Sequence, residues 1–455
     1  PNGLTTDQQI DNLNRVKKQT LPAPAASASR PEISFTYDGQ GRLSSITDPR
    51  GNTTTYSRKG LGDTLQTSPD TGVTNFELDE TGQIAYRINA RDADASFLYD
   101  DLQRLQYVYN PIGYTRLFYD EYSTTPGSEN YGRGRLTQVV EYLNGVVDSR
   151  VTLAYDQLGR VTRRCQIWGS TSTCTAADAL VYRWGPATGT NAGRLLGLTY
   201  PSGRKVDYQY DAAGRISGLT TTHPGTSTAI PVLRNVQYTP LDVASGGHAL
   251  KSFAFGDTAS TQSYLREYDT SARLTLFTLG KGLTTNATAG THTIDYDEGG
   301  IIWGINRFQS SWSSATYDYD NLNRLIGMSL SGGSLFSYSY DANGNRTLKT
   351  SYSTPTSYTY PATSNRLATV QVSSAASQAV TTDATGNITL DPAAPVGAVR
   401  FAYNDRTDLP YGRLISSEGP GARYVYQHNY FGQRTRKTGY NYTPTGTSTA
   451  IAPAP

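Results

Sequence analysis

Along much of the chain, apolar and polar residues alternate in short runs that end in turn-forming residues. In "FSYSYDANGNR", Phe336, Tyr338 and Tyr340 are separated by Ser337 and Ser339, and Asp341, Gly344 and Arg346 follow. Side chains alternate faces along a strand, so the three aromatics share one face and the serines the other. The run predicts a half-buried strand. The residues after it predict a hairpin turn, since an Asp at the first position accepts from the backbone two residues on and a glycine supplies positive φ.

The same unit recurs along the chain. "FTYDGQGRLSSI" carries Tyr37, Asp38, Gly41, Arg42 and Leu43; "AYDQLGRV" carries Tyr155, Asp156, Gly159 and Arg160; "QYDAAGRI" carries Tyr210, Asp211, Gly214 and Arg215. "EYDTSARL" holds Tyr268, and "DYDNLNRL" holds Tyr319, Asp320 and Arg324. "LYDDLQRL" from Leu98 and "FYDEY" with Tyr119 and Asp120 are further copies, and "ELDETGQI" from Glu77 keeps the turn without the tyrosine. "DYDEGGI" from Asp295 and "AYNDRTD" from Ala402 are weaker copies. Clean copies lie about 20 residues apart, a spacing typical of repeat architectures.

Between the copies stands a second turn type. "DPRGN" covers Asp48 to Asn52, "SPDTG" covers Ser68 to Gly72, "NPIG" begins at Asn110 and "YPSG" at Tyr200. Each sets Pro before Gly, a tight-turn signal. Two turns per unit predict two strands per unit. The strand after the Asp turn is irregular: Leu43 and Ile46, or Ile216 and Leu219, are three apart and cannot share a face of a flat strand. A bulge or a strong twist would reconcile them.

These residues resemble the RHS/YD-repeat family, in which Tyr-Asp is followed by a short gap, Gly-Arg and an apolar residue. The resemblance covers roughly residues 31 to 438. It implies an all-β fold, an array of antiparallel hairpins coiled into a hollow shell. Family members include bacterial polymorphic toxins, shell subunits of insecticidal toxin complexes and teneurin ectodomains. In the bacterial members the shell encloses a C-terminal toxin segment freed at a DPxGxxGG-like signature. That signature is absent: "DPRGN" at Asp48 is a repeat turn, and "DPAAP" at Asp391 lacks the glycines. The expectation is therefore shell wall, without self-cleaving core or toxin.

Composition agrees with a thin wall. The chain has 455 residues, 34 of them Tyr and 44 Gly, with 36% hydrophobic residues, low for a dense globule. Tyrosine suits a wall with one wet face, because its ring packs while its hydroxyl stays bonded. The net charge of +2 gives no basic stripe, so no nucleic-acid partner is expected. No apolar run approaches the length of a membrane span. The chain begins at Pro1 and its one methionine is Met328, which points to a processed chain or part of something longer. Residues 1 to 30 divide into a short amphipathic helix, predicted from Ile10, Leu13 and Val16, and a linker from Leu21 to Pro31. Residues 439 to 455 form a Thr/Pro/Ala-rich tail.

Candidate chemistry is sparse. Equivalent aspartates at Asp38, Asp156, Asp211 and Asp320 argue against catalysis, which needs a few differently tuned groups converging. Their expected role is to cap turns. Arg42, Arg160 and Arg215 are expected to lie along neighbouring tyrosines or to pair with acids. His223, His248, His292 and His428 are scattered and lack metal-ligand spacing. Trp168, Trp184, Trp303 and Trp312 are expected to pack in loops or in the wall rather than stack on sugars. Cys165 and Cys174 can close a short disulfide loop in an oxidising compartment, or stand as free thiols otherwise. No cofactor, metal or enzymatic activity is expected. The leading expectation is a secreted or cell-surface bacterial β-shell that sequesters a toxin or other polypeptide segment. The alternative is a YD-repeat adhesin or filament that binds glycans or copies of itself.

Overall fold

The alternating runs form strands from near the start of the chain to near its end. The computed structural model describes residues 4–59, 62–124, 129–240, 249–256, 262–281, 290–308, 312–331, 333–394, 397–403 and 413–442. His248, much of the weak copy after Tyr403, and the tail beyond Tyr442 lie outside the described residues.

Thirty-one strands, from Asp7–Ile10 to Gln378–Ala379, make one sheet. Each pairs antiparallel with the next, so the sheet is a continuous meander. A two-stranded ribbon, Tyr122–Ser123 with Asn130–Tyr131, interrupts it. A separate six-stranded meander runs from Thr381–Thr382 to Arg434–Tyr442. The one helical element among the described residues is a short 3-10 turn, Ala176–Asp178.

The irregular strand is explained by a bulge. Tyr37 pairs with Leu43 but Thr36 pairs with Ser45, which leaves Ser44 extra. Leu43 and Ile46, the latter opposite Phe35, thereby return to the aromatic face. The same shift sets Ile216 opposite Tyr210 and Leu219 opposite Tyr208. Bulges bend the strand and increase its twist, which favours coiling of a long sheet.

The expected N-terminal helix is not formed. Ile10 ends the strand Asp7–Ile10, Leu13 sits in a turn, and Val16 begins Val16–Thr20. The turn is another copy of the unit. "DNLNR" at Asp11 to Arg15 repeats the residues at Asp320 to Arg324, with Ile10 in place of the tyrosine. The helical spacing of three apolar residues was the accident of a five-residue turn between two strands. Strands of the ribbon are therefore present ahead of residue 31, from Asp7–Ile10, and the strand Arg434–Tyr442 runs past residue 438.

Burial is distributed. The described core divides into small clusters, such as Leu117, Val139, Val151 and Tyr430, or Ala95, Phe97 and Val108. Most strand residues are half-buried, as a wall rather than a packed globule requires.

The ribbon coils on itself. Turns on the edge opposite the Tyr-Asp turns, from the early part of the chain, bond to Tyr-Asp-edge turns 291 to 317 residues later. An antiparallel sheet of this length would otherwise expose its turns and edges to solvent. Coiling turn on turn makes the sheet the wall of a hollow shell.

Candidate functional site: the repeat turns and the seam

Each unit is built around its aspartate. Asp38 N–H donates to the Arg42 carbonyl and the Gly41 N–H donates to the Asp38 carbonyl, closing a three-residue loop with a left-handed residue at Gly41 (φ 82°). The Asp38 carboxylate accepts from the amides of Gln40 and Arg42, both at 2.9 Å, and from Arg42 Nε at 2.9 Å. The amide of the residue four positions on is the largest cause that holds the Asp38, Asp100, Asp211 and Asp269 carboxyls below the ordinary value. In Asp11 the Arg15 guanidinium leads. Asp156 and Asp320 make the same bonds, with Arg160 Nε and Arg324 Nε each at 2.6 Å.

The tyrosine and arginine link successive units. Tyr37 Oη donates to the Val16 carbonyl at 2.7 Å, Tyr155 to Leu136 at 2.7 Å, Tyr210 to Leu195 at 2.6 Å and Tyr340 to Leu325 at 2.8 Å. The arginine of one unit lies over the tyrosine of the next: Arg215 over Tyr238 at 4.5 Å, Arg324 over Tyr340 at 4.9 Å. Trp184 takes the tyrosine's place once, with Nε1 donating to the Val161 carbonyl at 2.7 Å and Arg160 over its ring at 5.3 Å. Burial raises the Tyr319 hydroxyl's pKa, as it does for Tyr155 and Tyr340. The arginines thus do both things expected of them, pairing with an acid and stacking on a tyrosine.

One copy differs from its sequence reading. After Asp341 and Gly344, Asn345 holds the arginine's place, its amide N–H and side chain donating to Asp341 at 2.9 Å each. Arg346 stands one residue further on, opposite Tyr340 in the sheet, with its guanidinium over Tyr358 at 4.5 Å.

The family model for the RHS repeat matches residues 34–58 and 191–228. The match identifies these two segments as RHS repeats. No curated protein matches the sequence. Among solved structures, the chain is similar to the crystal structure of TcdB2-TccC3 without its hypervariable C-terminal region, with a TM-score of 0.73, 16% identity, and coverage of 97% of this chain and 24% of that one. A Tc holotoxin pore from Photorhabdus luminescens gives 0.74 and 17%, covering 96% and 23%. TcdB2-TccC3 itself gives 0.72 and 16%, covering 97% and 24%. The chain thus spans about a quarter of the length of these structures, and the likeness is one of fold.

The seam of the ribbon was not visible in the sequence. Arg50 donates to the Ser364 carbonyl at 2.7 Å and the Pro361 carbonyl at 2.8 Å, and pairs with Asp341 at 3.2 Å. Asn365 bonds Asp48 at 2.7 Å through its side chain and Asp70 at 2.6 Å through its amide. Arg366 Nε donates to the Asp70 carbonyl at 2.7 Å, and Arg91 pairs with Asp383 at 3.4 Å. Asn321 donates to Pro24 and Ala23 carbonyls, so the expected linker is part of the seam. "DPRGN" and "SPDTG" read as turns, and turns they are. Their second role is to present Asp48, Arg50 and Asp70 to the next coil.

The remaining candidates are dispersed. Cys165 and Cys174 are disulfide-bonded with Cα atoms 6.0 Å apart, Cys165 being packed with Ile167 and Ala179. His292 stacks on Phe277 at 4.5 Å, His223 lies 3.4 Å from an Arg204 nitrogen, and His428 is lowered by burial. Trp168 pairs across the sheet with Ser149, Trp303 is exposed, and the Trp312 side chain is outside the described residues. Among the described residues no cluster of His, Cys, Asp and Glu could hold a metal, and no helix is long and apolar enough to cross a membrane.

Proposed function

We propose that the chain is a non-enzymatic wall segment of an RHS shell that encloses a toxin or other polypeptide segment for secretion or delivery. The observation that carries this reading is the seam. Side chains of Arg50, Arg91, Asn365 and Arg366 join turns from successive coils, so the ribbon closes laterally instead of lying open. Similarity in fold to the TcdB2-TccC3 structures supports a shell, and the Cys165–Cys174 disulfide suits an oxidising compartment. A wall of equivalent turns holds by geometry rather than by chemistry, and its function is exclusion. The test is protease protection. An unstructured reporter fused after Pro455 should survive a protease that digests the free reporter, and Arg50→Ala should restore digestion. Equal digestion of free and fused reporter would overturn the reading.

A second reading, adhesion through the wall's other face, has one observation in its favour. The bulge at Gln106 turns Tyr107 and Tyr109 away from the face that carries Phe97 and Val108. There they meet Tyr114 and Tyr142 in a run of rings with centroids 5.7, 5.6 and 4.3 Å apart. Glycan binding lost in Tyr109→Ala, with the reporter unprotected, would favour this reading over enclosure.

A further inference from the structure

The wall uses its tyrosines and arginines differently on its two faces. On the face that carries Phe97 and Val108, the hydroxyls of Tyr99, Tyr119 and Tyr155 donate to carbonyls of the preceding hairpin, and Arg104 and Arg160 hold aspartates in the turns. On the opposite face the same residue types have no such partners. Tyr107, Arg116 and Arg150 share one row across the sheet, Tyr107 opposite Arg116, and Val140 opposite both arginines. Arg163, exposed, lies on that face one strand further on, opposite Ala154. None of the three guanidiniums makes an ion pair or hydrogen bond among the described residues, and Nε of Arg116 and of Arg150 is shielded from solvent without a partner. The hydroxyls of Tyr107 and Tyr109 likewise bond no described protein group. Glu141 is turned to the other face, where Ser149 donates to it, and Asp148, in the bulge beside it, pairs with none of these arginines.

We propose that this face binds an acidic polysaccharide, with Arg116, Arg150 and Arg163 on its carboxylates or sulfates and the tyrosines on its hydroxyls. The inference rests on the reading of this face as an adhesive surface, not on enclosure.

Charge argues for an anion. A guanidinium's planar fork matches a carboxylate or sulfate in bidentate fashion. Arg116 lies over the rings of Tyr107 and Phe118, at 5.2 and 4.3 Å, which fixes its plane but leaves its formal charge without a counterion. Span argues for a polymer. The five consecutive strands from Leu105–Asn110 to Val161–Trp168 extend over about 20 Å at the usual strand spacing, so the three charges call for a chain of anions rather than one small ion.

The tyrosines narrow the class. Tyr114 and Tyr142 stack at 4.3 Å, and Tyr107 and Tyr109 at 5.7 Å, so the ring faces are taken up by one another and offer unstacked bases little platform. A phenol hydroxyl both donates and accepts, which matches sugar hydroxyls, whereas the carboxylates of an acidic peptide only accept. Leu98, opposite Tyr107 and half exposed, adds apolar surface for the C–H side of a sugar ring.

Calorimetry on the purified chain tests this, with heparin oligosaccharides, oligogalacturonate, a neutral galactose oligomer, polyglutamate and oligo-dT as probes. At least one acidic oligosaccharide should bind with Kd below about 1 mM at low salt, more weakly as salt is added, and at least tenfold more tightly than the neutral oligomer. The sulfated and carboxylated arms tell which anion is preferred. Arg116→Gln with Arg150→Gln should weaken binding at least tenfold. Arg163→Gln, an exposed change should the double variant fail to fold, should weaken it severalfold. Unchanged affinity in the folded double variant or in Arg163→Gln would overturn the proposal. Equal binding of the neutral oligomer would overturn the acidic class while leaving adhesion standing, and no binding of any oligosaccharide would overturn both. Polyglutamate or oligo-dT bound as tightly as the best oligosaccharide would make the face a general polyanion surface and overturn the assignment.

Discussion

The guanidinium of Arg324 lies 4.9 Å from the ring centroid of Tyr340 while its Nε holds Asp320 at 2.6 Å. A third bond, from Nη1 to the Asp341 carbonyl at 3.0 Å, places one side chain across the turns of two units. Arg324→Ala is expected to lower stability by about 1–3 kcal/mol, the loss of a charge-assisted bond and a cation–π contact in a partly buried site. Arg324→Lys should recover only part, because an ammonium cannot span three partners in a plane. Chemical denaturation midpoints of the three proteins check this.

Two glycines separate backbone strain from crowding. Gly214 has φ of 83°, and a Cβ there would lie 1.9 Å from Nη2 of Arg194. Gly344 has φ of 91° with nothing within 4 Å of the same added atom. Gly344→Ala should cost about 1–2 kcal/mol, the penalty of a left-handed L-residue. Gly214→Ala should cost more, because Arg194 must leave the Tyr210 ring it covers at 5.5 Å. Thermal unfolding of the pair gives the difference directly.

Acid should loosen the turns. The carboxyls of Asp38, Asp100, Asp211 and Asp269 sit below the model-peptide value of 3.8 in the folded chain, chiefly through the amides they accept. A depressed folded pKa contributes stability that is whole above the unfolded value and lost as pH falls through the folded one. The unfolding midpoint should therefore stay level from neutral pH to about 5 and then decline steadily. Asp269→Asn should shallow the decline. A midpoint level down to pH 2 would refute this account of the turns.

Reduction of the Cys165–Cys174 disulfide, which closes a sequence separation of 9 residues, should destabilise its hairpin by about 2–3 kcal/mol in the chain-entropy account. Faster amide exchange in Val161–Trp168 and Ala179–Trp184 on adding reductant, with distant strands unchanged, is the expected signature.

Arg50→Ala should release the seam without unfolding the strands. Amide exchange should rise at Asp48 to Asn52 and at Tyr360 to Arg366, and small-angle scattering should show a larger radius of gyration. Unchanged exchange at both places would mean that Arg50 does not hold the coils together.

The repeat and its hairpins were legible in sequence because each is local: Tyr-Asp, three or four turn residues and an apolar residue suffice to define the unit, while the coiling of the sheet came only as what the family resemblance implied. The copy at Asp11 was hidden by one substitution, Ile10 for tyrosine, and could have been found from the identity of "DNLNR" at positions 11 and 320. Arg346 stands one place beyond the arginine of the other copies because Gly344 is followed by Asn345, and amide and guanidinium satisfy the same carboxylate. The seam was illegible for a different reason. Arg50 and Ser364 are 314 residues apart, and their meeting depends on the summed twist of every strand between them.

Where a repeat tyrosine's hydroxyl bonds a carbonyl, as in Tyr119 and Tyr238, the acceptor lies in the hairpin already behind it, 14 to 22 residues upstream. The dependence runs one way. A hairpin emerging from the ribosome finds its anchoring carbonyl already in place, so the ribbon can be laid down in the order of synthesis without waiting for later sequence. Removal of a later unit leaves these upstream bonds in place, whereas removal of the hairpin around Asp11 strips Tyr37 of both its acceptor at Val16 and its covering guanidinium at Arg15. The ribbon is therefore polar in its construction: each hairpin leans on the one made before it and asks nothing of the one made after.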